Sequence, residues 1–525
     1  MFAAVGLAVG ASLASQFRNL FLYNEVLTIV QQNYVEDRDP SGLIMESIRG
    51  MLKSLDPHSQ ILDAQMARQL RDEQKESFYG IGIQFEIIKG LLTVIAPIEG
   101  TPAYNAGLLA GDRIVEINGE NARGISTGDV LKKLKGPKGT SVTITVEREG
   151  VSEPLYFTIT RGKIPTSSVP YYFMLDDSVG YVRLIKFAEK TTDEMNKAIV
   201  DLLEQGMKSL ILDLRSNGGG LLNQAIQVSD MFLDQDLPIV STRGRTRETE
   251  RVSYASGRTV GPHLPLVILI NGGTASGSEI VAGAIQDMDR GVIVGTRSFG
   301  KGLVQTIFQL PEEWTLILTT QRYYTPSGRC IQKPYGEYDG YSGEFKSESE
   351  SINSKEKYRT QSGRLIEGGG GICPDVVVEQ GLLKGPVAEL PRKNIFTRFG
   401  LHYAALHREL PRDFEVTDEM IDEFVAFAKD NGVEVSFKDL AEEDADYIKI
   451  VIKHRIVRSI WGNKEAATAI LDVDDEVQKA IEAMPEAKRM LEEDYLPFVK
   501  RQDKKTAPPA EGEAALDTAS IDLAA

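Results

Sequence analysis

Read as a pattern of apolar and polar positions, the chain changes period three times. From residue 17 to about 76 apolar residues recur at intervals of three and four, through Leu22, Val26 and Val30 and then Leu43, Ile44, Ile48, Met51 and Leu52, which predicts a helical N-terminal domain. Leu55-Asp56-Pro57-His58-Ser59 breaks that pattern, and His58 reads as a turn residue. Between residues 77 and 162 the period becomes two, with strands expected at 79–85, 91–95, 112–117, 142–146 and 155–159 and helices only around 103–106 and 127–134. Residues 163–390 carry short continuous apolar runs, each followed by a glycine turn and a helical pattern, the mark of an α/β core. Two stretches echo each other there: 209–214 leads into Arg215-Ser216-Asn217-Gly218-Gly219-Gly220, and 264–270 leads into Asn271-Gly272-Gly273. A polar, glycine-rich insertion at 335–371 is expected to be disordered or lid-like, after which Val376-Val377-Val378 returns to strand pattern. Residues 391–503 are helical and charged, with packing or dimerisation as their expected use, and 504–525 reads as a disordered tail. The fold class is therefore multidomain α+β.

Composition narrows the functions open to such a chain. Its 525 residues are too many for one core, and a net charge of −17 with pI near 5.0 and no basic run with interleaved aromatics excludes nucleic acid as a partner. Cys330 and Cys373 form no C-x-x-C, so zinc fingers and multi-bridge scaffolds are excluded; a single disulfide closing the insertion and two separate thiols both remain open. The five histidines show no ligand spacing, which leaves a histidine-based triad without a source and implies no metal. Residues 1–16 open on an uncharged apolar stretch, short for a membrane span and without a basic start, and are expected to be a secretory signal or the end of an anchor; a buried first helix is the alternative.

The chemistry concentrates in residues 264–305. Ser276 stands where an apolar strand ends and a helix must begin, because Ile280, Val281, Ala284 and Ile285 follow at helical spacing. Free N–H groups at a helix start can stabilise an oxyanion beside that hydroxyl, as acyl transfer requires. The same letters, Ser276-Gly277-Ser278-Glu279, also spell a capping box that does no chemistry. Lys301 tips the balance, since it lies between Gly300 and Gly302 after a second apolar strand, where a desolvated amine can act as a base. Residues 295–301 also fit a phosphate loop, but Gly302 replaces its Ser or Thr and the continuation alternates like a strand instead of opening a helix.

TASGSEIVAGA (274–284), SFGKGLVQ (298–305) and LDLRSNGGGLL (212–222) together resemble the carboxyl-terminal processing proteases, or tail-specific proteases, over roughly residues 33–378. The resemblance implies Ser276 as nucleophile, Lys301 as general base, Gln305, four residues on, as the base-orienting amide, and Gly219 and Gly277 as oxyanion donors. It also implies a crotonase/ClpP-like α/β core. The family's usual proline is replaced by Gly218, which puts the stiffness of that loop in question. AGLLAGDRIVEINGE (106–120) and KGPKGTSVTITVERE (135–149) resemble a PDZ domain, in which Gly80-Ile81-Gly82-Ile83 would be the carboxylate loop and Ile81, Ile83, Val130 and Leu134 the pocket for a last side chain. Lys135 stands where related proteases often carry a gating arginine.

The resulting expectation is an extracytoplasmic serine endopeptidase that binds protein or peptide substrates by their C-terminal tails and needs no cofactor, with a homodimer formed through the C-terminal helices. A catalytically silent PDZ scaffold is the alternative, and thioester hydration on a related fold a third; the absence of a paired-carboxylate site and the presence of the PDZ module weigh against the latter.

Overall fold

The computed structural model describes residues 2–74, 77–258, 260, 263–334, 338–339, 344–345, 356–378, 385–407, 409–437, 440 and 442–506. They fall into two units, one of residues 1–69, 303–321 and 334–350, the other of 70–302, 322–333 and 351–525. Of the tail expected to be disordered at 504–525, residues 504–506 end the helix Leu496–Thr506 and 507–525 lie outside the described residues, as does most of 335–355 in the insertion expected at 335–371.

In the first unit the helical expectation is met by Phe2–Asn33 and Pro40–Lys53, the latter capped by Asp39, whose carboxylate accepts from Ser41 and Gly42 N–H. Asp56 organises the break that follows: it accepts from the N–H groups of His58 (2.8 Å) and Ser59 (2.9 Å) and from the Ser59 hydroxyl (2.7 Å). The strand Gln60–Leu62 pairs antiparallel with 315–317, and Leu303–Gln309 joins the same ribbon. Phe17, Phe21, Val26 and Ile29 on the first helix are exposed. Among the described residues no helix is long and apolar enough to cross a membrane, so the anchor expectation finds no span there.

The second unit contains several packed cores. Five antiparallel strands, Ile83–Ile88, Leu91–Pro97, Arg113–Ile117, Ser141–Glu147 and Leu155–Thr160, pair in that order, and the helix Thr127–Leu134 closes over Ile81, Leu92, Ile114, Val130, Ile144 and Ile159. Arg161, nearly buried, donates to the carbonyls of Lys133 and Leu134 and so satisfies the C-terminal end of that helix.

The α/β core is a six-stranded sheet in the order Tyr171–Met174, Val179–Arg183, Ser209–Asp213, Leu266–Ile270, Val292–Gly295, Val376–Val377, parallel except for its first pair. Strands buried on both faces explain the continuous apolar runs of the sequence. One face meets the helices Thr191–Glu204 and Gly277–Asp287, the latter buried throughout. Tyr181, Ile211, Val267, Leu269, Val292 and Val294 alternate to the other face, where Val477, Ala480, Ala487 and Met490 cover them.

That cover differs from the expectation of one helical domain at 391–503. Phe396, Phe399, Phe424, Ile448, Ile452 and Ile456 form a separate helical core, whereas the helices Asp475–Glu482 and Met484–Arg489 belong to the sheet, because its second face needs an apolar lid. The end of the insertion differs too. Lys357–Arg359 and Leu365–Glu367 form a hairpin tied down by Arg364, which donates to Asp289 (2.7 Å) and Asp375 (2.8 Å). Cys330 and Cys373 are both free thiols.

Behind the central helix, Arg329 and Asp287 form a fully buried ion pair at 2.8 Å, with Gln286 and the Glu367 carbonyl taking other guanidinium hydrogens. Arg329→Ala strands the Asp287 carboxylate, so a loss of about 3–5 kcal/mol is expected, measured as a lowered urea midpoint.

Candidate active site

The strands Ser209–Asp213 and Leu266–Ile270 are parallel neighbours, with Asp213 opposite Leu269, so the loops leaving them emerge side by side. In the second loop Thr274 accepts from Asn271 N–H (2.9 Å) and donates to the Leu214 carbonyl (2.9 Å), which fixes its start to the first. Ser276 then takes φ +56° and ψ −115°, outside the ordinary wells for an L-residue, at a cost of order 1–3 kcal/mol. This is a strand–turn–helix elbow, with the helix Gly277–Asp287 opening directly after the serine. Gly277 is its first residue, so its N–H has no intrahelical acceptor.

The first loop is stitched to the second. The Asn217 carbonyl accepts from Ala275 N–H and from the Ser278 hydroxyl, both at 2.9 Å, on either side of Ser276. Asn217 also reaches back with Nδ2 to the Leu184 carbonyl (2.9 Å) and accepts Gly219 N–H on Oδ1 (2.9 Å). Gly219 (φ +92°) and Gly220 (φ +147°) admit no side chain: a Cβ would lie 2.7 Å from Gly277 N at the first and 2.1 Å from the Phe187 carbonyl oxygen at the second. At Gly218, where the sequence departs from its resemblance, a Cβ would meet nothing within 4 Å. The stiffness of the loop therefore comes from Asn217 and the two following glycines.

Lys301 is half-buried in the turn before the strand Leu303–Gln309, and since a strand follows it, no helix opens there to bind a phosphate. Its backbone shares two partners with Ser276. The Glu279 carboxylate accepts Ser276 N–H (2.8 Å) and Lys301 N–H (2.9 Å) on Oε2, and Gly300 N–H (2.7 Å) and the Ser298 hydroxyl (2.5 Å) on Oε1. The Tyr323 hydroxyl contacts the carbonyls of Ser276 (3.0 Å) and Lys301 (2.5 Å), and both Glu279 and Tyr323 are buried. Burial pushes the Glu279 carboxyl up to about 7 against the pull of its four donors. The capping-box glutamate foreseen in the sequence thus has a second role. That role was not legible there, because Ser298, Gly300 and Lys301 come from a turn about twenty residues downstream, and nothing marked Tyr323 or Asn217.

Gln305 lies in the other unit, on Leu303–Gln309, where its Nε2 donates to Thr319 Oγ1 (3.3 Å), itself bound to Asp56 (3.1 Å). In the antiparallel domain Gly80-Ile81-Gly82-Ile83 joins the strands Ser77–Gly80 and Ile83–Ile88. It is fixed from behind, as the Ile81 carbonyl accepts Ala103 N–H and the Gly82 carbonyl accepts Ile98 N–H and the Thr101 hydroxyl. Ile81, Val130 and Leu134 meet in the domain core, with Ile83 packed against them half-exposed. The Lys135 ammonium sits 4.5 Å above the Phe78 ring.

Comparison with known proteins identifies the family. Peptidase family S41 matches residues 178–339, a PDZ domain 93–148, and a family of unknown function 387–462. A carboxy-terminal-processing protease of Bartonella bacilliformis is 44% identical over 320 residues, covering 60% of this chain and 73% of the relative. The carboxy-terminal processing protease CtpA of Bacillus subtilis is 34% identical over 311 residues, covering 59% and 66%. The solved photosystem II D1 C-terminal processing protease is 28% identical, covering 69% of this chain and 94% of that one, with a TM-score of 0.38. The chain belongs to the carboxy-terminal processing protease family: it is a serine protease of the S41 type that carries a PDZ domain.

In Glu279→Gln either orientation of the amide turns an N–H₂ group towards two N–H or O–H donors, so kcat is expected to fall by one to two powers of ten in a folded protein. The wild-type carboxyl holds its proton more tightly folded than unfolded. Its stabilising contribution is full at acid pH and declines as pH rises from the usual carboxyl range through about 7, by roughly 3 kcal/mol in all. Urea unfolding at pH 5 and pH 8 is expected to show that decline in the wild type and not in Glu279→Gln.

Proposed function

We propose that the chain is an endopeptidase that takes C-terminal tails of protein substrates into its PDZ domain and cleaves them with Ser276 as nucleophile and Lys301 as general base. The observation that carries this reading is the double clamp: one carboxylate and one phenol bind the backbones of both residues, which suits two groups that must keep a fixed separation. Ser276 Oγ attacks the scissile carbonyl while its proton passes to the neutral Lys301 amine. The tetrahedral oxyanion is taken by Gly277 N–H and by Gly219 N–H, the latter turning away from Asn217 Oδ1 to receive it. The lysine ammonium then protonates the departing amine, and water releases the acyl group from Ser276. Gln305 as the group that aligns the lysine rests on its spacing in the sequence and on the family motif. An extracytoplasmic site of action is part of the same proposal.

The test is cleavage of an unfolded protein by the purified chain beside its Ser276→Ala variant, which should be inert; equal activity of the two overturns the nucleophile. Lys301→Arg is expected to be as inactive as Lys301→Ala, because a guanidinium does not give up its proton at any working pH. Substantial turnover by Lys301→Arg removes the base assignment.

A tail bound at the Gly80–Ile83 turn would add a strand through backbone bonds, leaving selectivity to the free carboxylate and last side chain. Amidating the substrate's C-terminus is therefore expected to slow cleavage at least several-fold, read as kcat/KM. Equal rates for free and amidated tails argue against tail recognition while leaving the dyad intact.

A further inference from the structure

The loop that carries Asn217 and Gly219 is anchored at its base by Arg215, and two of the groups holding Arg215 come from far along the chain, at residues 474 and 476. Its guanidinium donates to Asp213 at 2.8–3.1 Å, to Asp474 at 3.0 Å and to Glu476 at 2.6 Å. Its own N–H goes to Asp213 (2.8 Å) and its carbonyl accepts from Arg183 (2.5 Å), so backbone and side chain are fixed together. Burial works to raise the Asp213 carboxyl, but Arg215 and Arg183 hold it down to about 2. Ser216, the next residue, has φ +54° and exchanges hydrogen bonds with Asn271 at the root of the Ser276 loop.

What lies behind these residues is open space. A cavity of about 580 Å³ is lined by Arg215, Ser216 and Asn271 on one side and His454, Arg458 and Glu476 on the other. Close-packed side chains do not support the base of the loop from there, so on that side it is held by the ion pairs, in addition to the bonds that Asn217 and Ser216 make.

We infer that Asp474 and Glu476 are positioning residues for the proposed oxyanion loop, acting through Arg215. The inference rests on the proposed role of Gly219 and Gly277. If Arg215 loses its two C-terminal partners, the backbone at 215–217 can shift into the cavity, carrying the Asn217 carbonyl and, through Ala275 and Ser278, the Ser276 turn. Substrate binding at the PDZ domain does not pass through these contacts, so the effect falls on the chemical step.

The experiment uses the full chain as wild type, Asp474→Asn, Glu476→Gln, Glu476→Ala and the Asp474→Ala/Glu476→Ala pair, with Ser276→Ala as the inactive control. Three quantities are measured: kcat and KM on a quenched peptide with a free C-terminus, affinity for a peptidyl boronate that forms a tetrahedral serine adduct, and amide hydrogen exchange across residues 215–221. For the double variant kcat and boronate affinity are expected to fall together by about ten- to a hundred-fold, with KM within about three-fold and faster exchange in the loop. Glu476→Gln, which still accepts a hydrogen bond from Arg215, should keep most of the activity that Glu476→Ala loses. Unchanged kcat per folded molecule, or unchanged exchange at 215–221, overturns the inference. Should the wild type prove no more active than Ser276→Ala, the proposed function fails instead, and the exchange measurement still decides whether Asp474 and Glu476 hold the loop. If the double variant does not fold, Glu476→Ala set beside Glu476→Gln carries the same comparison, with the loss in kcat and the faster exchange expected in the first and not in the second.

Discussion

A single buried carboxylate is the constraint on which the rest of the site depends. Glu279 lies within the first turn of the central helix and accepts four donors, from Ser276, Ser298, Gly300 and Lys301. An isolated buried charge is costly, and only a full set of donors makes the position tolerable. The relation runs both ways, because the Ser276 backbone is strained and needs a partner that recovers the cost. The bonds that Glu279 accepts from the Ser276 N–H and from the turn bearing Lys301 hold the strained residue in place and offset part, not all, of the cost of burying the carboxyl. Tyr323 completes the clamp from the carbonyl side of both residues.

The sheet decides which loops can be joined in this way. Parallel strands send their carboxyl ends in one direction, and the crevice beyond those ends is where open α/β sheets place their chemistry. Ser209–Asp213 and Leu266–Ile270 are adjacent in register, so the glycine loop and the serine elbow start within hydrogen-bonding reach. Asn217 and Thr274 make that reach permanent. Gly219 and Gly220 are then fixed by sterics, because the two loops approach more closely than any Cβ allows.

Much of this was legible in the sequence, and the limit has a physical reason. Short apolar runs ended by glycine announced the parallel strands, and S-x-x-E placed a helix start at Ser276, because both signals are local. The alternating module and its two helices, at Pro102–Asn105 and Thr127–Leu134, were visible for the same reason. Contacts between distant parts of the chain left no such mark. The helix Asp475–Glu482 has an apolar stripe, as does Asp418–Asp430 before it, and a pattern states that a face is buried without saying against what. That is why 391–503 read as one domain although its end covers the protease sheet. Arg215, Asp474 and Glu476 looked like ordinary charges until folding brought residues 215 and 474–476 together.

The two attachments of the C-terminal helices differ in kind, and the difference decides which part of this unit moves most easily. Toward the PDZ domain they offer Asn431 to Lys89 (3.0 Å) and His402 to Glu149 (2.9 Å), beside a cavity of about 300 Å³, and Arg458 to Gln84 (3.2 Å). These hydrogen bonds are partly exposed and the space beside them, lined in part by Ile88, Leu91, Leu401 and Phe427, is incompletely filled, and contacts of that type hold domains loosely. Toward the protease core they offer an apolar face against Tyr181, Ile211, Val267 and Val294, together with the buried pairing of Arg215. Separating that face exposes apolar area and strands charges, both of which are opposed strongly. The PDZ domain is therefore the member held least tightly, while the helices Asp475–Glu482 and Met484–Arg489 belong mechanically to the core. One of the PDZ contacts, Arg458 to Gln84, joins the residue next to Ile83 at the proposed peptide loop to a helix that also lines the cavity behind Ser216.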